Sequence, residues 1–243
     1  MKELQDLQQV FKYLSKNCNY LILRNYEGLF DDVCLEGHND IDVLCSSIRD
    51  RRIMVKELNA EPRIGVDNGI HYKFLYNKQE IALDIRMVGD GYYDLQWQKN
   101  MLKNKQLDDR GFFVMSSEDY FMSLIYHAIY QKECLSEEYR RRLSDMAKVF
   151  PEYSSINGEQ IEFENCLLGY MKEHHYYYTK PYDHYVVPNF NIDLTSDYIK
   201  YPNYVKVQHK RDQIKEYIFG KINGARVRIK NLIKPANKKS RLN

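Results

Sequence analysis

No Cys-x-x-Cys pair occurs in this 243-residue chain, and its five cysteines (Cys18, Cys34, Cys45, Cys134, Cys166) are odd in number and scattered. That pattern argues against a disulfide framework and against a zinc site, and it suits a reducing, cytoplasmic setting. No apolar run approaches the roughly 18–20 residues needed to span a bilayer. Residues 1–6 are too polar to read as a signal peptide. There is no sequence repeat and no low-complexity linker, and Trp97 is the single tryptophan. Acidic side chains are missing from residues 220–243, where eight Lys or Arg give the tail +8 and leave −6 on the remainder, an asymmetry hidden by the net +2.

What is present is ordinary for a globular protein: 44% hydrophobic and 29% charged residues, in a length that allows one sizeable core or two small ones. Tyrosine is the exception at 22 residues, with clusters at Tyr176-Tyr177-Tyr178 and at Tyr182, Tyr185, Tyr198, Tyr201 and Tyr204. A phenol ring can stack on a sugar or base, but packing at a half-wet interface is the plainer role for most of them. The basic tail, with apolar Ile222, Val227, Ile229, Leu232 and Ile233, fits peripheral contact with the inner face of an anionic membrane, a partner surface, or a last packed helix.

The stretch around which the chain is organised is Gly37-His38-Asn39-Asp40-Ile41-Asp42-Val43-Leu44-Cys45, a turn running into a short buried strand. Alternation sends Asp40 and Asp42 to one face, Ile41 and Val43 to the other. Side-by-side carboxylates repel unless a cation lies between them, and oxygen ligands of this kind suit Mg²⁺. By that logic Asp42→Asn should leave the metal-free protein no less stable. The alternative is a pair of solvated turn residues flanking a strand.

Residues 70–76 and 80–87 read as strands joined through Asn77-Lys78-Gln79. Ile81, Leu83, Ile85 and Met87 make one apolar face, while Asp84 and Arg86 share the other. A carboxylate in so apolar a strand needs a partner or a metal. Asp84 either converges with Asp40 and Asp42 on one cleft or pairs with Arg86 or Lys73 on a solvated face.

Asp-x-Asp on one strand, followed about forty residues later by a lone Asp in an apolar strand, resembles the polymerase-β-type nucleotidyltransferase superfamily. Leu21-Ile22-Leu23-Arg24-Asn25-Tyr26-Glu27-Gly28 ahead of Asn39-Asp40-Ile41-Asp42-Val43-Leu44 is similar to a branch of it found among bacterial surface-polysaccharide genes. The resemblance covers residues from about 19 to 135. It implies Mg²⁺ held by Asp40, Asp42 and Asp84, and a nucleoside triphosphate held by Arg24, Asn25, Arg86 and Lys132. The acceptor would be a sugar, a polyol or a phosphorylated form of either. The family's Gly-Ser pair is absent, with Arg24-Asn25-Tyr26 near its place, so a non-catalytic module of the same fold stays open. A metal-dependent glycosyltransferase also uses Asp-x-Asp, though it would not require Asp84. Nucleic acid is not an expected partner, since the basic residues gather in the tail without an aromatic–basic motif.

The remaining pattern predicts an α+β fold, a small mixed-sheet core followed by a mainly helical region. We divide it as 1–115, 116–219 and the tail 220–243. Helices are expected over 2–16, 46–59, from Tyr92 to 101, from Ser116, from Ser136 and over 161–174, with a strand at 20–23 and a short one at 112–115. Asp119, three residues after Ser116, is expected to complete a capping box. His127 and Lys132 follow on that helix: a lone helical His is usually a packed one, and Lys132 is the better phosphate ligand. The segment 179–189, with two prolines and polar Asp183, His184 and Asn189 among aromatics, either closes over an acceptor or wraps the helical region.

Overall fold

The computed structural model describes residues 3–24, 26, 29, 40–63, 69–132, 134–179, 181, 183, 186 and 214. Residues Met1–Pro202 form one compact unit. A second unit, Asn203–Asn243, holds the basic tail and lies outside the described residues apart from Ile214. The fold is α+β, as the sequence pattern predicts.

In chain order the elements are α1 (Leu7–Asn17), β1 (Tyr20–Arg24), β2 (Asp40–Cys45), α2 (Ile48–Glu57), β3 (Glu61–Pro62), β4 (His71–Tyr76) and β5 (Gln79–Met87). Then come α3 (Leu95–Lys103), β6 (Gln106–Leu107), β7 (Phe113–Val114), α4 (Ser117–Tyr130), α5 (Glu137–Ala147) and α6 (Gln160–Glu173). The seven strands form one mixed sheet in the order β3-β4-β5-β2-β1-β7-β6. β2 runs parallel to β5 and β1 parallel to β7, while the other neighbours are antiparallel.

Alternation divides the sheet between two cores. Tyr20, Ile22, Ile41, Val43, Cys45, Ile81, Leu83 and Ile85 pack with Leu7, Phe11 and Leu14 of α1 and Met54 and Leu58 of α2. Leu21, Leu23 and Leu44 face the opposite way, into a core built by α3, α4, α5 and α6. α4 is buried on every side from Asp119 to Tyr130, as expected of a helix that is apolar all round. Around it Trp97, Tyr126, Tyr130, Tyr170, Tyr176 and Tyr178 are all buried. Tyr176 stacks on Trp97 at 5.4 Å and 9°, and Tyr178 on Tyr126 at 5.5 Å and 13°. For these tyrosines the packing role is the one observed.

Local details sharpen the sequence reading. α1 begins at Leu7, capped by Asp6, because Leu4 bridges to Tyr76 at the sheet edge instead. The β4–β5 hairpin turns on two residues, Asn77 and Lys78, both with positive φ (49° and 62°), so Gln79 is already in β5. Asp119 does not close a capping box. Its carboxylate accepts hydrogen bonds from the Ser116 hydroxyl (2.9 Å), Trp97 Nε1 (2.9 Å) and the Tyr170 hydroxyl (2.9 Å), tying α3, α4 and α6 together.

Candidate functional site

β1 carries a bulge. Its register with β2 runs Tyr20↔Cys45, Leu21↔Leu44, Ile22↔Val43, then skips to Arg24↔Asp42. One extra residue lets Leu23 and Arg24, consecutive in sequence, serve the same side of the sheet. Leu23 fills the helical core and Arg24 stands opposite Asp42. On the other flank Asp42 is the register partner of Asp84, and Asp84 that of His71. The result is a row across four strands: Arg24, Asp42, Asp84, His71.

The side chains of this row bond in two pairs, Arg24 with Asp42 and Asp84 with His71. Arg24 donates to Asp42 Oδ2 from Nε (3.1 Å) and Nη2 (2.6 Å), and Nη2 also donates to the Tyr92 hydroxyl (2.8 Å). Both partners are buried, Arg24 at 5% exposure and Asp42 at 2%. The cation beside Asp42 is thus a guanidinium. Asp84 Oδ1 lies 2.8 Å from His71 Nδ1, Oδ2 lies 3.5 Å from Arg86 Nη2, and the half-exposed Arg63 approaches Oδ1 at 3.8 Å. Of the two partners the sequence offered, Arg86 is near and Lys73 is not, since Lys73 pairs with Glu80 at 2.7 Å.

A carboxylate from far along the chain completes the cluster. Asp183, buried and beyond α6, receives Arg86 Nη1 on Oδ2 (2.6 Å) and meets His71 Nε2 with Oδ1 (3.1 Å). Both imidazole nitrogens of His71 therefore face carboxylate oxygens, which requires both to carry protons. Burial works against that charge, but the hydrogen bonds that His71 donates to Asp183 and Asp84 outweigh it and push its pKa up to about 9. Three cations (Arg24, Arg86, His71) thus face three carboxylates (Asp42, Asp84, Asp183), with Arg63 at the solvent edge; all but Arg63 and the part-buried Asp84 are buried.

Tyr92 is the platform beneath the arginines, with guanidinium carbons 5.6 Å (Arg24) and 4.2 Å (Arg86) from its ring centre. The turn that places it is locked by Asp90, which accepts from Met87 N, Tyr92 N and Gln98 Nε2. Burial raises the Asp90 pKa. Behind Tyr92, Gln131 Nε2 donates to the Tyr92 carbonyl (2.7 Å), which turns Gln131 Oε1 toward His127 Nδ1 at 3.0 Å. Nδ1 therefore carries the proton of a neutral ring. Burial first, and then the Arg24 charge, hold the His127 pKa well below its usual value. His127 is a packed histidine that supports the platform.

Two arginine donors in this network are buried and have no hydrogen-bond partner among the described residues: Arg24 Nη1 and Arg86 Nε. Buried donors of that kind are rare and costly, and on guanidinium groups they suit an oxyanion.

The sequence-expected residues are distributed as follows. Asp42, Asp84, Arg24 and Arg86 come together. Asp40 is half-buried at the opening of β2, in register with Ala82. Lys132 is exposed just past α4, and Asn25 falls outside the described residues. Among the described residues no three acid, His or Cys side chains converge as a metal cluster. His71 and Tyr92 were missed, and Asp183 was read only as a polar residue of the 179–189 segment, without its pairing to Arg86 and His71. A two-residue turn at Asn77-Lys78 would have put His71 opposite Asp84, but nothing in the sequence links Asp183 to Arg86. Comparison of the chain with family models, curated proteins and solved structures gives no match.

Proposed function

We propose that this chain is a Mg²⁺-dependent nucleotidyltransferase, moving a nucleoside monophosphate from a nucleoside triphosphate to a sugar, polyol or phosphorylated acceptor of surface-polysaccharide synthesis. The observation that carries the reading is the register Asp42↔Asp84 on parallel neighbouring strands, flanked on the same face by two buried arginines with donors to spare. Acids for a metal and guanidinium groups for phosphate then stand side by side, as phosphoryl transfer demands.

The donor set fits Mg²⁺ in chemistry: carboxylate oxygens on adjacent strands, with Asp40 at the strand opening. Both Arg24 bonds fall on Oδ2 of Asp42, leaving Oδ1 untouched by the guanidinium. Charge balance adds a condition. Each carboxylate of the network already faces a cation, so a lone divalent ion would add two positive charges to it, whereas an ion arriving with a polyphosphate brings its own compensation. Asp40, Asp42 and Asp84 would hold the ion, which would supply neutralisation of phosphate charge and a more acidic attacking hydroxyl. Arg24 and Arg86 would bind phosphate oxygens, His71 would keep Asp84 oriented, and Tyr92 would hold the two arginines level. The acceptor oxygen bonds to the α-phosphorus, the bond to pyrophosphate breaks, and the hydroxyl proton is lost to solvent.

A second reading is favoured by one observation. Arg24 already occupies Asp42, an arrangement that suits a non-catalytic module binding nucleotide without turnover. Incubation with each of the four nucleoside triphosphates, Mg²⁺ and a panel of sugar-phosphate acceptors, read as pyrophosphate release, separates the two. Release that disappears in Asp84→Asn supports the enzyme. Nucleotide binding without release from any pairing supports the module, and neither binding nor release removes both.

A further inference from the structure

The segment that delivers Asp183 is anchored at its root and ends in a charge. Thr179 N donates to the Tyr126 hydroxyl (3.2 Å) and Thr179 Oγ1 donates to the Gly91 carbonyl (2.8 Å), beside Tyr92. Tyr176 and Tyr178 are stacked into the helical core behind it. Past this root the chain reaches the acid face, where Asp183 touches two residues that lie 97 and 112 positions earlier.

We propose that Asp183 is an internal stand-in for the substrate: a carboxylate latch on Arg86 that a phosphate group of the ligand displaces. The inference rests on the phosphate-binding part of the function proposed above. Three features carry it. Asp183 bonds Arg86 through Nη1 alone and leaves Nε buried without a partner, whereas a phosphate presents enough oxygens to engage the guanidinium by two N–H groups at once. Its negative charge offsets Arg86 and His71 in the absence of a ligand, so an incoming polyphosphate competes for a place already held by like charge. And the root is held by the backbone and hydroxyl of Thr179, none of whose contacts involves the Asp183 carboxylate, so the latch can release without breaking them. Arg24, over the same Tyr92 ring and paired with Asp42, likewise keeps one donor, Nη1, without a partner.

The test uses the full chain and inorganic pyrophosphate as the probe, in EDTA, by isothermal titration calorimetry. Asp183→Asn keeps the shape but lowers the competition for Arg86, and it should bind pyrophosphate about tenfold more tightly than the unaltered chain. Adding Arg86→Gln to that variant should erase the gain. In the unaltered chain, pyrophosphate should speed amide hydrogen exchange in peptides covering 180–187, a measurement that does not depend on the variant folding. Equal or weaker binding by a folded Asp183→Asn, slower or unchanged exchange at 180–187, or no pyrophosphate binding by either protein would overturn the latch. Nucleotide turnover is scored separately. A tighter-binding Asp183→Asn with no turnover keeps the latch and removes the enzyme, while turnover with unchanged pyrophosphate affinity does the reverse.

Discussion

Asp42→Asn is the substitution whose outcome the structure turns around. Two neighbouring carboxylates read from the sequence alone repel each other, and neutralising one should then cost the empty protein nothing. In the fold the neighbour that matters is Arg24, buried and bonded twice to Asp42 Oδ2. Removing the charge leaves a guanidinium away from water without its counter-ion. Breaking a buried pair from one side costs about 3–5 kcal/mol. The amide oxygen of Asn in the place of Oδ2 can still accept both bonds, now without the charge, which brings the expected loss to about 2–4 kcal/mol. For a chain of this size that is a fall of roughly 5–15 °C in Tm. The assay is a thermal or urea melt in EDTA, with Arg24→Met and the double variant completing a cycle. The pair should show coupling, the double variant costing less than the two single losses together, because it leaves no orphaned charge. An Asp42→Asn protein that melts at or above the parent temperature, or a cycle with no coupling, refutes the assignment of Arg24 as the cation of this site.

Stability should peak near neutral pH, with each flank set by a different histidine. His71, raised to about 9, stabilises fully below its unfolded pKa of about 6.5, and that contribution fades as pH rises toward 9. His127, held neutral, is charged in the unfolded chain below about 6.5, so stability falls as the solution is acidified from there. Each slope is at most about 1.4 kcal/mol per pH unit. His71→Gln should flatten the alkaline limb and His127→Gln the acid limb of denaturation midpoints plotted against pH, and unchanged limbs would remove those assignments. Asp119→Ala should cost about 2–4 kcal/mol by urea melt, since it strands Trp97 Nε1 and the Tyr170 hydroxyl and leaves the Ser116 hydroxyl without its carboxylate partner. A loss under about 1 kcal/mol would mean those groups find other partners. Truncation from residue 221 onward should spare nucleotide turnover and abolish sedimentation with anionic vesicles. Each Lys or Arg near such a surface contributes about 1 kcal/mol, and the attachment should vanish at high salt. Equal pelleting of both proteins would exclude the tail as the contact.

The elements were legible where a single pattern governed them: alternation in β2 and β5, the 3.6 period in α1, the broad apolar face of α4, and the Ser caps of α2, α4 and α5. The acid face was legible in part, because Asp42 and Asp84 each sit among apolar neighbours that fix which way they point. Two kinds of information were hidden. Arg24 follows Ile22 by two positions, so strict alternation sends it to the wrong core, and only the bulge corrects this. Asp183 depends on the path of the chain after α6, a long-range contact with no local signature. The Asn77-Lys78 turn lies between these cases. Lys at a positive-φ position disguised a two-residue loop as a longer one, and with it the pairing of His71 with Asp84.

The bulge in β1 also makes the frontier between grease and charge one residue wide. In a regular strand a core side chain and the next charged one on that face are separated by a residue pointing away, which acts as a spacer. Here Leu23 and Arg24 are consecutive on one face, so the charged row begins at the residue next to a leucine embedded among the helices. Excising Leu23 would let Arg24 slide into regular register and still meet Asp42, because the pairing Ile22↔Val43 would simply continue. The chain therefore contains a natural place where electrostatics can be kept and packing removed by one deletion, the converse of what point substitution of the arginine achieves.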